Sequence, residues 1–336
     1  MPASNTAELE TFETAWIKHI GGSGRETGQA IALNGSHILL TGSTQTNLSG
    51  QLNSGQRDVF ISQYDDQGAE IWTKLFGGSS NEWVESICTD SDGNILIAGF
   101  TSGSIGDQSN HSSRSSSDAF IAKFNSQGEP LWVRLQGTVD IDYGYAVISD
   151  HEGAAYLAGS FRGSSLDNQA NASRYGNPLE DVFITKYSAS GNKLWTSSLA
   201  SSQRDIPLAI AISDEGYLYA AGYSEGTFEG EENQGSNDIF LSKLDLNGNK
   251  LWTKLFGGSN DDRATAISID GDDAIYLTGF TWSTNLEGET NQGGRDAFLL
   301  KLNLDGQLEW ARLLGSDQDD YGTGITLSEF ENLRIC

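Results

Sequence analysis

This chain of 336 residues is poor in several things at once: two cysteines, one methionine, four prolines and four histidines, with 20 lysines and arginines against 46 acids. Each shortage excludes something. Cys88 and Cys336 cannot form a disulfide framework, since one falls inside a predicted strand and the other is the last residue. A net charge of −26 argues against nucleic acid, whose phosphates demand basic side chains. It equally disfavours anionic membrane surfaces and leaves cations, neutral glycans or proteins as partners. No apolar run approaches a membrane span. The first residues, Met-Pro-Ala-Ser-Asn-Thr-Ala-Glu, have neither the basic start nor the apolar stretch of a secretion signal.

What is abundant is glycine, 40 residues of it, and a repeat. Tryptophan stands at Trp16, Trp72, Trp132, Trp195, Trp252 and Trp310. Ten residues beyond each lies an acid: Glu26, Glu82, Asp142, Asp205, Asp262 and Asp320. Five further on comes a branched apolar residue: Ile31, Ile87, Val147, Ile210, Ile267 and Ile325. The size prior of two domains gives way to this period, which runs without a linker. The expectation is one repeat domain over 14–336, preceded by a polar arm over 1–13.

Each unit contains four short apolar segments bounded by Gly, Asn or Asp, as in Ala264–Ile269, Ala274–Gly279, Asp296–Leu302 and Leu308–Leu314. Four antiparallel strands repeated at this period describe the blades of a propeller. The fold expected is therefore all-β: a β-propeller of four-stranded antiparallel blades, five complete plus a partial sixth. The sixth unit stops inside its second strand, so the chain reads as a fragment or truncated version of a longer propeller. An outer strand over Thr14–Ile20 could close the ring against it.

Spacing separates scaffold from variable parts. From the third-strand aspartate to the next tryptophan is always 14 residues, as in Asp58 to Trp72 and Asp296 to Trp310. Only the connection from the second-strand glycine (Gly42, Gly99, Gly159, Gly222, Gly279) to that aspartate varies, between 16 and 22 residues. With strands named A to D outward from the channel, this B–C loop shares a face with the Trp-to-acid loop joining successive blades. Length freedom confined to one face marks it as the functional one. The opposite face carries tight turns such as Ser91-Asp-Gly-Asn94 and Leu304-Asp-Gly306.

The run Trp72, Gly77-Gly78, Glu82, Ile87, Asp92-Gly93-Asn94, Ala98-Gly99, Asp118-Ala119-Phe120, Lys123 and Gly128 resembles the bacterial SBBP β-propeller repeat family. The resemblance implies a propeller, an extracellular or surface setting, and no shared catalytic residues. Departures occur at Gly137-Thr138 and Ala200-Ser201, where the paired glycines are replaced.

The six tryptophans read as packing wedges between blades. The aspartates of the Asp-x-Phe motifs read as acceptors for loop amides, with the phenylalanine turned inward. The six acids Glu26, Glu82, Asp142, Asp205, Asp262 and Asp320 should encircle the channel mouth, with Asp140, Asp261, Asp317 and Asp319 beside them. Such a ring could hold a cation, and oxygen ligands on loops suit Ca²⁺. The plainer reading is that each acid caps backbone amides at a blade junction. Trp83, Tyr143, Tyr321 and Trp282 stand next to the ring as ligand-binding candidates, or as covers for a blade edge. The histidines show no metal spacing, no Gly-x-Ser-x-Gly elbow occurs, and no calcium-hand loop is present.

The function expected is a non-enzymatic binding or structural module, presenting an acidic loop face to a protein or glycan, with calcium as the candidate cofactor. One alternative is a carbohydrate-active enzyme using two rim carboxylates, for instance Asp262 and Asp320, as acid and base. Another is a purely structural array within a larger surface protein.

Overall fold

The computed structural model describes residues 16–111, 116–172, 179–228, 230–271, 273–327 and 333–335. The arm expected over 1–13 and the first two residues of the outer strand expected over Thr14–Ile20 lie outside them. Five four-stranded antiparallel sheets follow one another along the chain. Blade one comprises Glu26–Asn34, His37–Thr44, Asp58–Tyr64 and Glu70–Phe76. Blade two comprises Glu82–Thr89, Ile95–Thr101, Asp118–Phe124 and Pro130–Gln136. Blade three has Asp142–Ser149, Ala155–Phe161, Asp181–Tyr187 and Lys193–Leu199. Blade four has Asp205–Ile212, Tyr217–Ser224, Asp238–Asp245 and Lys250–Phe256. Blade five has Asp262–Asp270, Ala274–Thr281, Asp296–Leu302 and Leu308–Leu314. In the partial sixth blade a two-stranded sheet pairs Ile325–Leu327 with Leu333–Ile335. This is the β-propeller expected, with five complete blades and a partial sixth.

Strands B and C are buried on both faces, for example along all of Asp58–Tyr64 and Asp118–Phe124. Alternation in their sequences is weak for that reason: a strand sandwiched between two neighbours needs apolar or small residues at every position. The core is consequently a series of slabs between successive blades. Leu39, Val59 and Ile61 of blade one meet Val84, Ile87 and Phe120 of blade two in one of them. Tyr219, Ile239 and Leu241 of blade four meet Ala264, Ile275 and Phe298 of blade five in another.

Two repeated glycines have distinct physical reasons. Strand A bulges just after its acid, as between Val84 and Ser86 or Ala264 and Ala266, and the residue across the bulge is the second-strand glycine. A side chain on Gly99 would collide with the Trp83 carbonyl oxygen, and one on Gly279 with that of Arg263. The bulge brings backbone to backbone, so only glycine fits. The C–D turn glycine serves the wedge. Gly128 has φ +76°, and the Trp72 ring of the preceding blade lies against it. Trp132 does the same at Gly191, donating Nε1–H to the Ala189 carbonyl at 3.0 Å.

Trp16 repeats this contact one blade earlier, on Gly68 and the Asp66 carbonyl. Trp16–Ile20 nevertheless joins no strand ladder among the described residues, which differs from the outer strand expected there. Blade one is also uncovered on its outer face. Ile31 and Leu33 are 67% and 65% exposed, whereas Ile87, equivalent to Ile31, is 8% exposed.

Replacing Gly279 by Ala must push two backbones apart, and should cost about 1–3 kcal/mol in urea unfolding. An unchanged midpoint would show that the bulge does not impose the glycine.

Candidate functional site

Four of the six repeat acids, Glu82, Asp142, Asp205 and Asp262, are fully buried. They do not line an open channel mouth as expected; they turn into the joints between blades. Local sequence explains this. The blade-to-blade loop returns tightly after the tryptophan strand, so the amide four residues upstream points at the acid. Gly78 N–H donates to Glu82 Oε2 at 3.0 Å, and Thr138 N–H to Asp142 Oδ2 at 2.6 Å. Ser201, Gly258 and Ser316 N–H donate likewise to Asp205, Asp262 and Asp320 at 2.6, 2.8 and 2.7 Å. Hydroxyls complete the shell: Thr101 on Glu82, Ser201 on Asp205, and Thr281 and Ser283 on Asp262. Glu26, on the uncovered blade, accepts from Thr44 and Thr46.

Each buried acid faces a second one that the sequence motif had placed separately. This partner is the Asp-x-Phe aspartate of the preceding blade, Asp58, Asp118, Asp181 or Asp238; Asp296 is the fifth aspartate of that motif. All five are fully buried. One oxygen of each accepts a loop amide, from Ser54, His111, Ala172, Gln234 or Gln292, at 2.6 to 2.9 Å. Among the described residues the other oxygen, Oδ1, has no hydrogen-bond partner in any of the five. Asp58 Oδ1 and Glu82 Oε2 lie 2.5 and 2.7 Å from where a Cβ would stand on Gly77. Asp118 Oδ1 and Asp142 Oδ2 crowd Gly137 in the same way. In Glu82, Asp142, Asp181 and Asp238, burial first, and then the neighbouring carboxylate, push the carboxyl group upward. Asp142 and Asp181 rise to about 7 and Asp238 to about 6, in each case with the partner acid adding to the burial effect. Asp205 rises to about 7 by burial, with Glu225 adding to it. Among the described residues no cluster of three or more candidate metal ligands forms.

The B–C loops are less free than their length variation suggested. Each begins with a two-residue turn closed by a bridge: Leu48 to Gln51, Ile105 to Gln108, Leu166 to Gln169, Phe228 to Glu231 and Leu286 to Glu289. The apolar residue opening each turn is buried. An asparagine then ties the loop down, Asn53, Asn110, Asn171, Asn233 or Asn291, donating Nδ2–H to the carbonyl at the end of strand B. From the second-strand glycine to this asparagine is 11 or 12 residues in every blade. Nearly all the variation falls after it, where the segment to the aspartate takes 5, 8, 10, 5 and 5 residues. Parts of the two long segments, 112–115 and 173–178, lie outside the described residues.

The aromatic candidates divide into two groups on the loop face. Trp83 stacks on Phe100 at 5.0 Å, and Phe100 meets Tyr143 of the next blade edge-on at 4.6 Å. Both candidates are half-buried in this row, bridging blades two and three. Trp282 and Tyr321 are 48% and 45% exposed. Between them sits the Arg295 guanidinium, 4.4 Å from the Trp282 ring and 5.3 Å from that of Tyr321, and it also bonds the Tyr321 hydroxyl. Phe280 lies beneath, 5.3 Å from Tyr321, and Arg263 lies between Phe280 and Tyr223. Asp319 and Asp261, expected to strengthen an acidic ring, are instead paired with Arg295 and Arg263. Sequence reasoning missed these arginines. Their signal was positional: Arg295 directly precedes an Asp-x-Phe aspartate, and Arg263 directly follows a repeat acid.

Comparison with known proteins agrees with this architecture. The SBBP model, described as a beta-propeller repeat, matches residues 71–107 and 251–287. The regulatory protein FlaEY of Caulobacter vibrioides is 26% identical over 220 residues, covering 62% of this chain and 23% of that protein. An uncharacterized WD repeat-containing protein of Acanthamoeba polyphaga mimivirus is 22% identical over 364 aligned positions, covering 84% and 26%. The chain thus spans about a quarter of the length of these relatives. Among solved structures, hydrazine synthase of Kuenenia stuttgartiensis is similar in fold, with a TM-score of 0.54 at 12% identity over 95% of this chain and 77% of that one.

If the loop turns are anchored through their buried side chains, Leu286→Ala should destabilise the protein by about 2–4 kcal/mol. The exposed Leu52→Ala should stay within about 0.5 kcal/mol. Equal midpoints in a denaturant titration would show that the loops are loosely attached.

Proposed function

Because this chain is a β-propeller built of SBBP repeats, we propose that it is a binding module whose contact surface for a protein partner is the aromatic and arginine cluster of the loop face. The observation that carries this reading is the group Trp282, Arg295 and Tyr321. Tryptophan, tyrosine and arginine dominate the binding energy of protein interfaces: the two aromatics combine large area with few rotors and a polar handle, and arginine adds a planar fork of donors. Here two of them are nearly half exposed beside a guanidinium that holds their rings in place. A rigid cluster loses little entropy on binding, which favours affinity. The names of the two relatives, a regulatory protein and a WD-repeat protein, are in keeping with a protein-contacting role. The family resemblance supports a surface or extracellular setting for the contact.

Calcium has no part in this reading. The repeat acids that would have bound it spend their oxygens on loop amides and hydroxyls, as Asp262 does with Gly258, Thr281 and Ser283. The same engagement leaves the acid–base alternative without a free carboxylate at Asp262.

Capture of partners by cross-linking in the native cells, with wild type and the Trp282→Ala, Tyr321→Ala double variant, tests the proposal. Cross-links should map to blades four to six, and the double variant should bind the recovered partner at least about ten-fold more weakly. Its melting temperature should stay close to that of wild type. Undiminished binding by a folded double variant would overturn this choice of surface.

A further inference from the structure

The paired acids at the blade joints are unusual because nothing positive offsets most of them. In a typical buried pair a lysine or arginine answers each carboxylate, and two ionised carboxylates held together without one repel strongly. This chain does place such pairs on its opposite face: Lys123 Nζ lies 2.7 Å from Asp90, both buried. On the loop-face side of the joints the facing groups are different. Between blades one and two, Asp58 and Glu82 meet the amides of Ser54 and Gly78 and the Thr101 hydroxyl. Between blades three and four, Asp181 and Asp205 meet the Ala172 and Ser201 amides and the Ser201 hydroxyl, with Glu225 nearby and Arg204 already engaged by Glu180. Between blades four and five, Asp238 and Asp262 have Glu287 nearby, while Arg263 is engaged by Asp261. Between blades two and three a titratable cation touches the pair, through His111 on Asp118 at 2.6 Å.

Five equivalent Oδ1 atoms without a hydrogen-bond partner among the described residues give the second, independent sign. A buried ionised oxygen lacking any donor is a costly arrangement, and finding it five times at one repeat position calls for a common cause. A proton on one member of each pair supplies it. The neutral carboxyl can lie against a glycine Cα at much smaller cost than a charge, while its partner stays ionised and keeps the amide and hydroxyl donors already aimed at it.

We propose that each of the four joints between blades one to five holds a carboxyl and a carboxylate with one proton between them, so that the propeller is pH-sensitive, its joints tightening in mild acid and loosening in mild base. The direction follows from linkage. Asp142, Asp181, Asp205 and Asp238 all hold their protons more tightly than an unfolded aspartate, which titrates at 3.8. The folded chain therefore binds more protons than the unfolded chain between about pH 4 and pH 7. Stability falls as pH rises through that window, and above it the joints carry the full repulsion. Loosened joints would spread the loop face, which couples any partner contact there to pH.

The test is an infrared pH titration of the whole chain, paired with melting curves. Wild type should show the carbonyl band of protonated carboxylic acid at pH 6, and the band should disappear by pH 9. Its melting temperature should drop by about 5 °C or more between pH 5.5 and pH 8.5. The Asp181→Asn, Asp238→Asn double variant should melt higher than wild type at pH 8.5 and show a shallower pH dependence. The surface control Glu215→Gln should leave the wild-type slope unchanged. A wild-type spectrum without the protonated band at pH 6 overturns the proposal, with no need for a folded variant. So would a Ca²⁺-dependent rise in melting temperature that both aspartate changes abolish, since that would place a cation where the proton is assigned.

Discussion

A four-stranded sheet whose two faces are both apolar cannot remain alone in water, and this constraint governs the molecule. Strands B and C of each blade bury nearly every residue, so each sheet needs a neighbour on either side. Successive sheets meet that need by stacking around an axis, and the hydrophobic slabs between blades one to five are the result. The tryptophans work on the outer rim of the same stack. Trp16, Trp72, Trp132, Trp195 and Trp252 each reach across to the C–D turn of the next blade, where a glycine with positive φ leaves room for the indole. Blade one shows the constraint by exception, since Ile31 and Leu33 lie open where the equivalent residues of later blades are covered.

Stacking also explains the fate of the acids. A residue at the start of strand A, just inside a joint, is enclosed by the loop that arrives from the preceding blade. A carboxylate there gains the amide that this loop presents. The adjacent aspartate does the same for the B–C loop, and the two acids are thereby brought together. The propeller thus uses the carboxylates as fasteners for its loops, and the proximity of like charges is a consequence of fastening two loops at one place. The loop face left to solvent is then shaped by what those fasteners hold up: arginines, aromatic rings and the anchored turns of the B–C loops.

Much of this was legible from spacing. The period from Trp16 to Trp310, the Asp-x-Phe segments and the second-strand glycines pointed to strands, blades and loops at the right places. The wedge role of Trp72 and the inward turn of Phe120 followed from residue type and repetition. Other features were hidden because they depend on neighbours distant in sequence. Glu82 and Asp58 come from different blades, and nothing in either motif says that they share a pocket. Trp83 and Tyr143 looked equivalent to Tyr321, yet Phe100 packs the first two into a half-buried row while Arg295 holds Tyr321 at the surface. The B–C loops varied in length and read as free, whereas Leu286 and Asn291 fasten most of each loop and leave nearly all the variation to the segment before the aspartate.

By itself the sequence determined the strand pattern, the number of units and the face on which the irregular residues gather, because each of these is written in local spacing and repetition. Tertiary structure alone decided which carboxylates meet, which aromatic rings stay exposed, and where the few arginines are spent. Those outcomes depend on how one sheet closes over the next, and burial and electrostatic coupling exist only once the blades are packed.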